Sequence, residues 1–206
     1  MSRYVGPSCK LCRREGIKLF LKGERCYTEK CAIEKRNYPP GQHVDTKGKV
    51  MEYGMRLREK QRARRIYGLS EKQFRRFFVM AERKEGITGT NFIVFLERRI
   101  DNMVFRLGFA TSRAEARQLV SHKHIAVNGR TVSSSSYLAK VGDVIEVRHK
   151  NLPAVVNALE SVVRRGVPSW IDLDKDNMKG TIKLFPTRDD ISLPIKEQLI
   201  VEYYSR

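Results

Sequence analysis

The chain has 206 residues, of which 41 are lysine or arginine and 23 are aspartate or glutamate, so its formal net charge at pH 7 is +18. A field of that size attracts polyanions at long range, which makes nucleic acid the expected class of partner. Even the longest uninterrupted apolar runs, such as Phe92 to Leu96, are too short to span a bilayer, and the N-terminus lacks a signal-peptide core. We therefore expect a cytoplasmic protein without a membrane partner.

The positive charge is concentrated in the N-terminal part of the chain. Residues 1–90 contain 23 basic and 10 acidic residues, residues 91–150 contain 10 and 5, and residues 151–206 contain 8 of each. Because solubility alone does not require such one-sided charge, the distribution favours a nucleic-acid surface in the N-terminal part. A basic surface that serves only solubility is the alternative.

The first fifty residues, here called the arm, lack a sustained apolar period and are not expected to fold by burial alone. The arm contains all the cysteines of the chain, at the spacing C-x2-C-x13-C-x4-C: Cys9, Cys12, Cys26 and Cys31. Two thiolate pairs at this spacing fit one tetrahedral structural zinc ion, which is the preferred interpretation. An iron–sulfur cluster and unmetallated thiols stay open as alternatives, whereas disulfides would require an oxidising compartment.

The end of the arm carries the run Tyr38-Pro39-Pro40-Gly41-Gln42-His43, which predicts an extended turn because the prolines fix φ and the glycine frees the backbone. It places an aromatic ring, an amide and an imidazole beside basic residues, although a loop without a function is the simpler interpretation. The candidate RNA-binding residues of the arm are Arg3, Arg13, Arg14, Tyr38, Gln42 and His43.

A strongly basic helix is predicted from Met51 to Tyr67, where no proline interrupts the chain. Its cations are too dense for one solvent face and have few acidic neighbours in sequence, so phosphate contact is the favoured use and a solvated charged face the alternative. The candidate RNA-binding residues here are Tyr53, Arg56, Arg58, Lys60, Arg62, Arg64, Arg65 and Tyr67.

A second helix is predicted after this one, because Ser70 and Gln73 have the spacing of a helix N-cap. Its apolar residues recur at core spacing, and we interpret them as core residues and not as stacking platforms: Phe74, Phe77, Phe78 and Ala81. Gly86 is predicted to end this helix.

The segment Arg98 to Val147, here called the module, begins with two short helices. The first has the apolar face Ile100, Met103, Val104 and Leu107, and Gly108 is predicted to cap it. Ser112 and Glu115 then form the S-x-x-E pattern of a capping box, which starts a helix that buries Ala116, Leu119 and Val120. The arginines between these positions are expected to point outward.

The module continues with a hairpin, because His124 to Val127 alternates towards Asn128-Gly129, a pair that tolerates positive φ. A Val141-Gly142-Asp143 turn precedes the predicted strand Val144 to Val147. The candidate RNA-binding residues of the module are Ser112, Arg113, Arg117, Gln118, His122, Lys123, His124, Asn128 and Arg130.

The remainder of the chain is expected to complete the fold. Pro153 to Arg165 predicts a helix, Thr181 to Phe185 a strand, and a terminal helix is predicted with the buried face Ile195, Leu199 and Tyr203. The run Asp172-x-Asp174-x-Asp176 begins like a calcium loop but lacks the glycine and the bidentate glutamate that such a loop requires.

Together these elements predict an α+β fold. We expect a mainly helical basic N-terminal domain with a metal-clipped arm, and an inserted RNA-binding module of short helices and an antiparallel β-sheet. The predicted boundaries are 1–50 for the arm, 51–90 completed by 187–206 for the helical domain, and 91–186 for the insertion, with its core at 98–147.

The module also resembles a known family. Its residues R-I-D-x-x-V-x-x-L-G-x-x-x-S-R-x-x-A-x-x-L-V-x-x-x-x-I-x-V-N-G, closed by V-G-D-x-I-x-V, are similar to the RNA-binding module named after the fourth protein of the small ribosomal subunit. That module also occurs in pseudouridine synthases, some aminoacyl-tRNA synthetases and a heat-shock RNA-binding protein. In the general module a glycine often lies where this chain has Lys123, which implies either a small shift of that turn or a phosphate contact of the lysine.

The resemblance extends over the whole chain. The opening R-Y-V-G-P-S-C-K-L-C-R-R-E-G, then Y-P-P-G-Q-H, then L-R-E-K-Q-x-x-R-R-I-Y-G-L-S-E-K-Q-F, and the C-terminal stretch from Lys196 to Arg206, resemble the family of the fourth protein of the bacterial small subunit. Many members of that family lack the cysteines, so the metal site belongs to a subfamily. The resemblance implies a primary binder of 16S ribosomal RNA that nucleates assembly of the subunit body.

The same resemblance implies several partners. One is the fifth small-subunit protein, by contact. A role in decoding accuracy shared with the fifth and twelfth proteins adds the twelfth as a functional partner. In some members repression of their own message adds messenger RNA. No homo-oligomer is expected.

Two other classes of function stay open at this point. Arg99-Ile100-Asp101 resembles the R-L-D of pseudouridine synthases, in which the aspartate is the nucleophile, but the chain lacks room for their large catalytic domain and Asp101 is expected to pair with a neighbouring arginine. We therefore expect no enzyme and propose no catalytic residues. A zinc-containing DNA-binding regulator would place a recognition helix after a strand or turn and show dimer features, which are not evident.

Overall fold

The computed structural model describes residues 4–42, 51–149 and 151–205. Arg3 and His43, two of the predicted RNA-binding residues, lie outside the described residues. The described residues divide into two compact units, one within Met1–Phe92 and Leu193–Arg206 and the other within Ile93–Ser192. No helix in the described ranges is long and apolar enough to cross a membrane.

The structure combines helices with one antiparallel sheet, as the sequence predicts. The helices are α1 (Ser8–Glu15), α2 (Ala32–Lys35), α3 (Glu52–Ile66), α4 (Glu71–Glu82), α5 (Thr88–Glu97), α6 (Ile100–Leu107), α7 (Arg113–Ser121), α8 (Pro153–Arg165) and α9 (Glu197–Tyr204), and a 3-10 helix spans Gly23–Tyr27. The strands are β1 (Ile125–Val127), β2 (Arg130–Thr131), β3 (Val144–Val147), β4 (Ile171–Asp174) and β5 (Lys179–Ile182). Their order in the sheet is β2-β1-β3-β5-β4.

The arm contains more regular structure than the sequence predicts, namely α1, the 3-10 helix and α2. These pieces are too short to show an apolar period, yet each contributes to a small buried cluster: Cys12, Leu19, Cys26, Cys31 and Ile33. The arm therefore packs around its cysteines.

In the first unit, α4 forms as predicted. The Ser70 hydroxyl accepts from the Gln73 amide at 3.4 Å, and the apolar face is buried, with the ring of Phe74 edge-on to Phe92 at 4.9 Å. The helix ends at Glu82 and not at Gly86, because the amide of Lys84 bonds to the carbonyl of Ala81, which tightens the last turn.

The terminal helix α9 buries a different face from the predicted one. Ile195 is buried but precedes the helix, and Ile200 is the fully buried residue within it. Leu199 and Tyr203 are half-buried, because the helix starts only at Glu197 and its apolar stripe is shifted by one residue.

The second unit has one hydrophobic core between α6, α7 and the sheet, built mainly from Ile100, Met103, Val104, Phe105, Leu107, Phe109, Ala116, Leu119, Val120, Ile125, Val127, Ile145, Val147, Trp170, Ile171 and Ile182. On β5, Gly180 meets this core closely, because a Cβ built on it would overlap the side chain of Leu107. A strand residue without a side chain is thus required where α6 lies against the sheet.

The turns of the module follow the sequence closely. Gly108 takes the left-handed conformation at φ 88°, and the Asn128-Gly129 pair has φ values of 50° and 75°, as a tight hairpin requires. Ser112 caps α7 by accepting from the Glu115 amide at 3.3 Å. The Glu115 carboxylate, however, accepts from the amide and hydroxyl of Thr111, so the reciprocal half of the capping box is displaced by one residue.

Two sheet predictions need correction. The predicted strand Thr181 to Phe185 is β5, which runs from Lys179 to Ile182, and it starts earlier than predicted because Lys179 and Gly180 pair with β4. Strand β4 was not predicted, since its alternating aspartates resembled a metal loop, and it pairs with β5 along its length. Helix α5 was also missed, because its apolar residues form a run without period.

Lys123, which stands where the general module often has glycine, has φ of +63° between α7 and β1. A side chain in this conformation brings its Cβ close to the following carbonyl, which costs roughly 1–2 kcal/mol. The turn therefore has the same position as in the general module, and Lys123 adopts a strained backbone conformation there.

We predict that Lys123→Gly raises the free energy of unfolding by about 0.5–1 kcal/mol, because glycine relieves this strain and loses part of the gain to backbone entropy. Urea unfolding measures the change. Gln118→Gly on the exposed face of α7 is the matched control and should lower stability by about 1 kcal/mol. If both variants are destabilised, the claim of backbone strain at Lys123 is wrong.

Candidate nucleic-acid interface

The cations of α3 are largely engaged by carboxylates from elsewhere in the first unit. Arg56 Nε lies 2.7 Å from Glu202 Oε2, and Lys60 Nζ lies 2.8 Å from Glu71 Oε1. Arg62, by contrast, pairs within the helix with Glu59, at 2.6 Å. The expectation that α3 lacks acidic partners was wrong, because it considered only neighbours in sequence.

Glu15 joins the arm to α3. Its side chain is fully buried, and its Oε1 accepts from Arg65 and, at 3.3 Å, from Arg58. Burial raises the pKa of Glu15, while the nearby Arg65 and Arg58 charges oppose that rise. The same burial lowers the pKa of Arg65. This carboxylate thus fixes the end of α1 against the basic helix.

Two predicted RNA-binding residues of α3 and its C-cap are not available. Lys60 is 4% exposed and lies 4.6 Å from the centre of the Tyr203 ring, and Tyr67 is 2% exposed. Tyr204 donates to the carboxylate that Lys60 also contacts, and burial raises the pKa of Tyr204 strongly. Both predicted contacts are corrected, since both side chains are buried in the first unit.

The other predicted residues of α3 keep part of their surface exposed. Tyr53 is 58% exposed with its ring 5.8 Å from that of Tyr203. The arginines are half-buried while bonded to carboxylates or to Gln61: Arg56, Arg58, Arg62, Arg64 and Arg65. They present partly neutralised charge to any polyanion.

The exposed face of α4 carries cations that sequence reasoning missed. Lys72, Arg75 and Arg76 are exposed, opposite the buried phenylalanines, and no ion pair reaches them from any described residue. Arg83 is exposed just past the end of this helix. The helical period that predicts the buried face of phenylalanines also predicts an opposite, exposed face, and these cations lie on it.

The arm presents a second basic surface, a cavity of about 750 Å³ here called the arm cavity. Its charged lining consists of Lys10, Arg13, Glu24, Arg25, Lys30, Lys35 and Arg36. Arg13 is held by the carbonyls of Tyr38 and Pro39, at 2.9 and 3.3 Å, and lies 4.6 Å from the centre of the Tyr38 ring. Of the other predicted arm residues, Arg14 and Gln42 are exposed outside this lining.

The cysteines come together as the spacing predicts. Cys9, Cys12, Cys26 and Cys31 all line one small cavity. The Lys22 amide donates to Cys26 Sγ at 3.4 Å, and burial raises the pKa of both Cys12 and Cys26. Within the described ranges, however, no group of three or more histidine, cysteine, aspartate or glutamate side chains is arranged to hold a metal ion.

In the second unit, Asp101 is the centre of a buried ion-pair network. It accepts from Arg99 at 3.0 and 2.8 Å and from Arg117 at 2.9 and 2.6 Å. This confirms that the carboxylate pairs with a neighbouring arginine. Arg99 is 1% exposed and Asp101 3%, so the pair belongs to the protein interior.

Glu97 is the centre of an adjacent network. Its carboxylate accepts from Arg106 at 2.8 and 2.9 Å and from the side-chain amide of Asn102 at 2.7 Å. Arg113 in turn donates to Asn102 Oδ1 at 2.8 Å and stacks on the ring of Phe105 at 4.4 Å. The expectation that the module keeps its arginines outside is therefore wrong for Arg99, Arg106 and Arg117, which bind buried carboxylates, and holds for Arg130, which is exposed.

The remaining predicted residues of the module fall into two groups. Ser112 and Asn128 are structural, since the first caps α7 and the second bonds both Asp143 and the Val144 amide across the hairpin. The predicted RNA contact of Ser112 is corrected because its side chain is buried, whereas Asn128 is exposed and its RNA contact stays a prediction. The other exposed residues are Gln118, His122, Lys123 and Arg130, and His124 is half-buried beside His122.

Comparison with known proteins gives full-length matches. Residues 3–97 match the family described as Ribosomal protein S4/S9 N-terminal domain, and residues 98–145 match the S4 domain. The chain is 59% identical to the Small ribosomal subunit protein uS4 of Geobacter sp. (strain M21), with 100% of both chains covered. The proteins of that name from Citrifermentans bemidjiense and Caldicellulosiruptor saccharolyticus are likewise 59% identical over 100% of both chains.

We predict that Asp101→Asn lowers the free energy of unfolding by about 3–5 kcal/mol, because it removes the negative charge that faces two guanidinium groups in the interior. Thermal or urea unfolding measures the loss. Asp172→Asn is the matched control, since Asp172 is 66% exposed and 3.3 Å from an exposed lysine, and its effect should stay within about 0.5 kcal/mol. Equal effects of the two variants would contradict the buried network.

Proposed function

This chain belongs to the uS4 family of small ribosomal subunit proteins, and from this membership and the site described above we propose how it holds ribosomal RNA. It is a structural constituent of the small subunit in the cytoplasmic ribosome and binds the subunit's RNA. Which cations make the contacts follows from their surroundings.

The observation that carries the proposal is the exposed face of α4. Lys72, Arg75 and Arg76 have no carboxylate partner among the described residues, so each adds undiminished positive charge to one helix face. Unneutralised cations release counterions when they meet phosphates, which is the main source of affinity for nucleic acid. The paired arginines of α3 add less, because part of their field is already cancelled.

The arm cavity supplies the second phosphate surface. Six cations and one carboxylate line it, and Arg13 is already oriented there by two backbone carbonyls and the Tyr38 ring. Orientation before binding reduces the entropy lost when an RNA backbone is gripped. In the module, Gln118, His122, Lys123, Asn128 and Arg130 are the candidates that remain exposed.

The finer role follows the family resemblance. We propose that the chain is a primary binder of 16S ribosomal RNA, nucleates assembly of the subunit body and contributes to translational accuracy. The proposed protein partners are the fifth small-subunit protein by contact and the twelfth by function, with the chain's own messenger RNA as a further RNA partner. The relatives point to a structural role, and the engagement of Asp101 by two arginines supports the absence of catalysis.

We also propose that Cys9, Cys12, Cys26 and Cys31 bind one structural zinc ion, with an iron–sulfur cluster as the alternative. The donors fit by type, and they line one cavity. Donor chemistry and common location support the site, while no group of three or more such side chains is arranged to hold a metal among the described residues. Zinc would link α1, the 3-10 helix and α2, which have little other core.

For the RNA surface, we predict that replacing Lys72, Arg75 and Arg76 by glutamine weakens binding to 16S ribosomal RNA. The slope of log Kd against log salt should fall by about 0.7–0.9 for each phosphate that the variant no longer neutralises, which filter binding at several salt concentrations measures. The matched control changes the same charge elsewhere, with Lys175, Lys179 and Lys183 replaced by glutamine, and should alter the slope little. If the slope falls equally in both variants, net charge and not α4 explains the binding.

For the metal, we predict about one zinc per chain in the full-length protein purified without oxygen. Its removal by a chelator should lower the thermal stability of the arm and make the four thiols reactive. Because burial raises the pKa of Cys12 and Cys26, these two thiols must lose protons to bind zinc, so zinc affinity should fall as pH falls. Zinc well below one per chain, or iron in its place, would overturn the zinc assignment.

A further inference from the structure

Three of the chain's four histidines lie in one patch of the second unit. His122 follows α7, His124 precedes β1 and His149 follows β3. The rings of His122 and His124 are stacked at 6.2 Å and 20°, and the His149 ring is edge-on to that of His124 at 5.7 Å. His122 and His149 are exposed, and His124 is half-buried between them.

Two permanent cations complete this set, here called the histidine patch. The Arg148 amide donates to the His124 carbonyl at 2.9 Å, and its guanidinium lies 3.5 Å from the Lys123 carbonyl. Lys123 is held in its strained conformation between the first two histidines, and its side chain is exposed. The backbone thus brings together five side chains that carry or can acquire positive charge.

The charges on the neighbouring strands do not neutralise the patch. Glu146, on the strand that leads to Arg148, pairs with Lys179 of β5 at 3.2 Å. In the described part of the chain, no ion pair joins a carboxylate to a patch residue. Burial lowers the pKa of His124, and the neighbouring His149, His122 and Arg148 lower it further. The imidazole Nδ1 of His124 is buried without a hydrogen-bond partner.

An anion would relieve this repulsion. A phosphate beside the patch favours the charged imidazoles, and each protonated ring offers two N–H donors in place of one donor and one acceptor. A metal ion does not suit the rings, because they stack instead of converging on one point, and no metal-binding group occurs among the residues described.

We propose that the histidine patch is a proton-linked phosphate site for the RNA backbone, at which RNA binding and protonation of His122, His124 and His149 favour each other. The inference rests on the proposed RNA-binding function and adds a dependence on pH to it. RNA binding takes up protons here, so affinity rises as pH falls.

The test measures the Kd of the full chain for 16S ribosomal RNA between pH 5.5 and 8.0 at constant ionic strength. One linked proton changes affinity by up to tenfold per pH unit, and we expect the wild-type affinity to rise about 5- to 10-fold from pH 7.5 to 5.5. Replacement of the three histidines by glutamine should leave weaker binding with little pH dependence. Thermal unfolding of each variant verifies that the fold is kept.

A second variant separates charge from packing. His122→Lys with His149→Lys places permanent charge at the two exposed positions, and should bind RNA more tightly than wild type at pH 7.5 with a reduced pH dependence. Glutamine variants that keep the wild-type pH dependence, or lysine variants no tighter than wild type at pH 7.5, overturn the inference. RNA binding without pH dependence in the wild type overturns the inference alone, whereas absence of binding at every pH overturns the proposed function as well.

Discussion

The pairing of arginine with buried carboxylates is the constraint on which both units depend. A chain with a net charge of +18 repels itself when it becomes compact, so some of its 23 acidic residues must lie where cations are closest. Glu15, Glu97 and Asp101 do so, with side chains at most 4% exposed and each bonded to two arginines or to an arginine and an amide. Burial of each carboxylate costs much desolvation free energy, which only such close partners offset. These carboxylates also set the orientation of the helices they join.

The same pairing decides which positive charges are left for RNA. Basic residues are densest on α3, yet their carboxylate partners come from α1, α4 and α9 and hold them within the first unit. The face of α4 has fewer cations than α3 and the arm cavity has as many, but both have fewer carboxylates beside them, so their fields are less diminished. Local density of lysine and arginine therefore does not show how much positive charge is available to RNA. The number of cations without an internal partner describes that charge better.

Features fixed by neighbouring residues were predictable from the sequence, and features fixed by distant ones were not. Gly108, the Asn128-Gly129 turn and the Ser70 cap follow from local backbone chemistry, and the structure has each of them where it was expected. The burial of Lys60 depends on Glu71 and the tyrosines of α9, and Arg56 meets a partner 146 positions away. No local pattern indicates such contacts. Strand β4 was missed for a related reason, because its identity depends on β5 and not on its own alternating aspartates.

The close approach of Gly180 to Leu107 has a consequence for sequence variation. The Leu107 side chain occupies the space that a side chain at position 180 would need, so the two positions are not independent of each other. Chains that share this fold should tolerate a larger residue at the strand position only together with a smaller one on the helix. The two positions would then vary as a pair, and engineering of this core has to exchange them together.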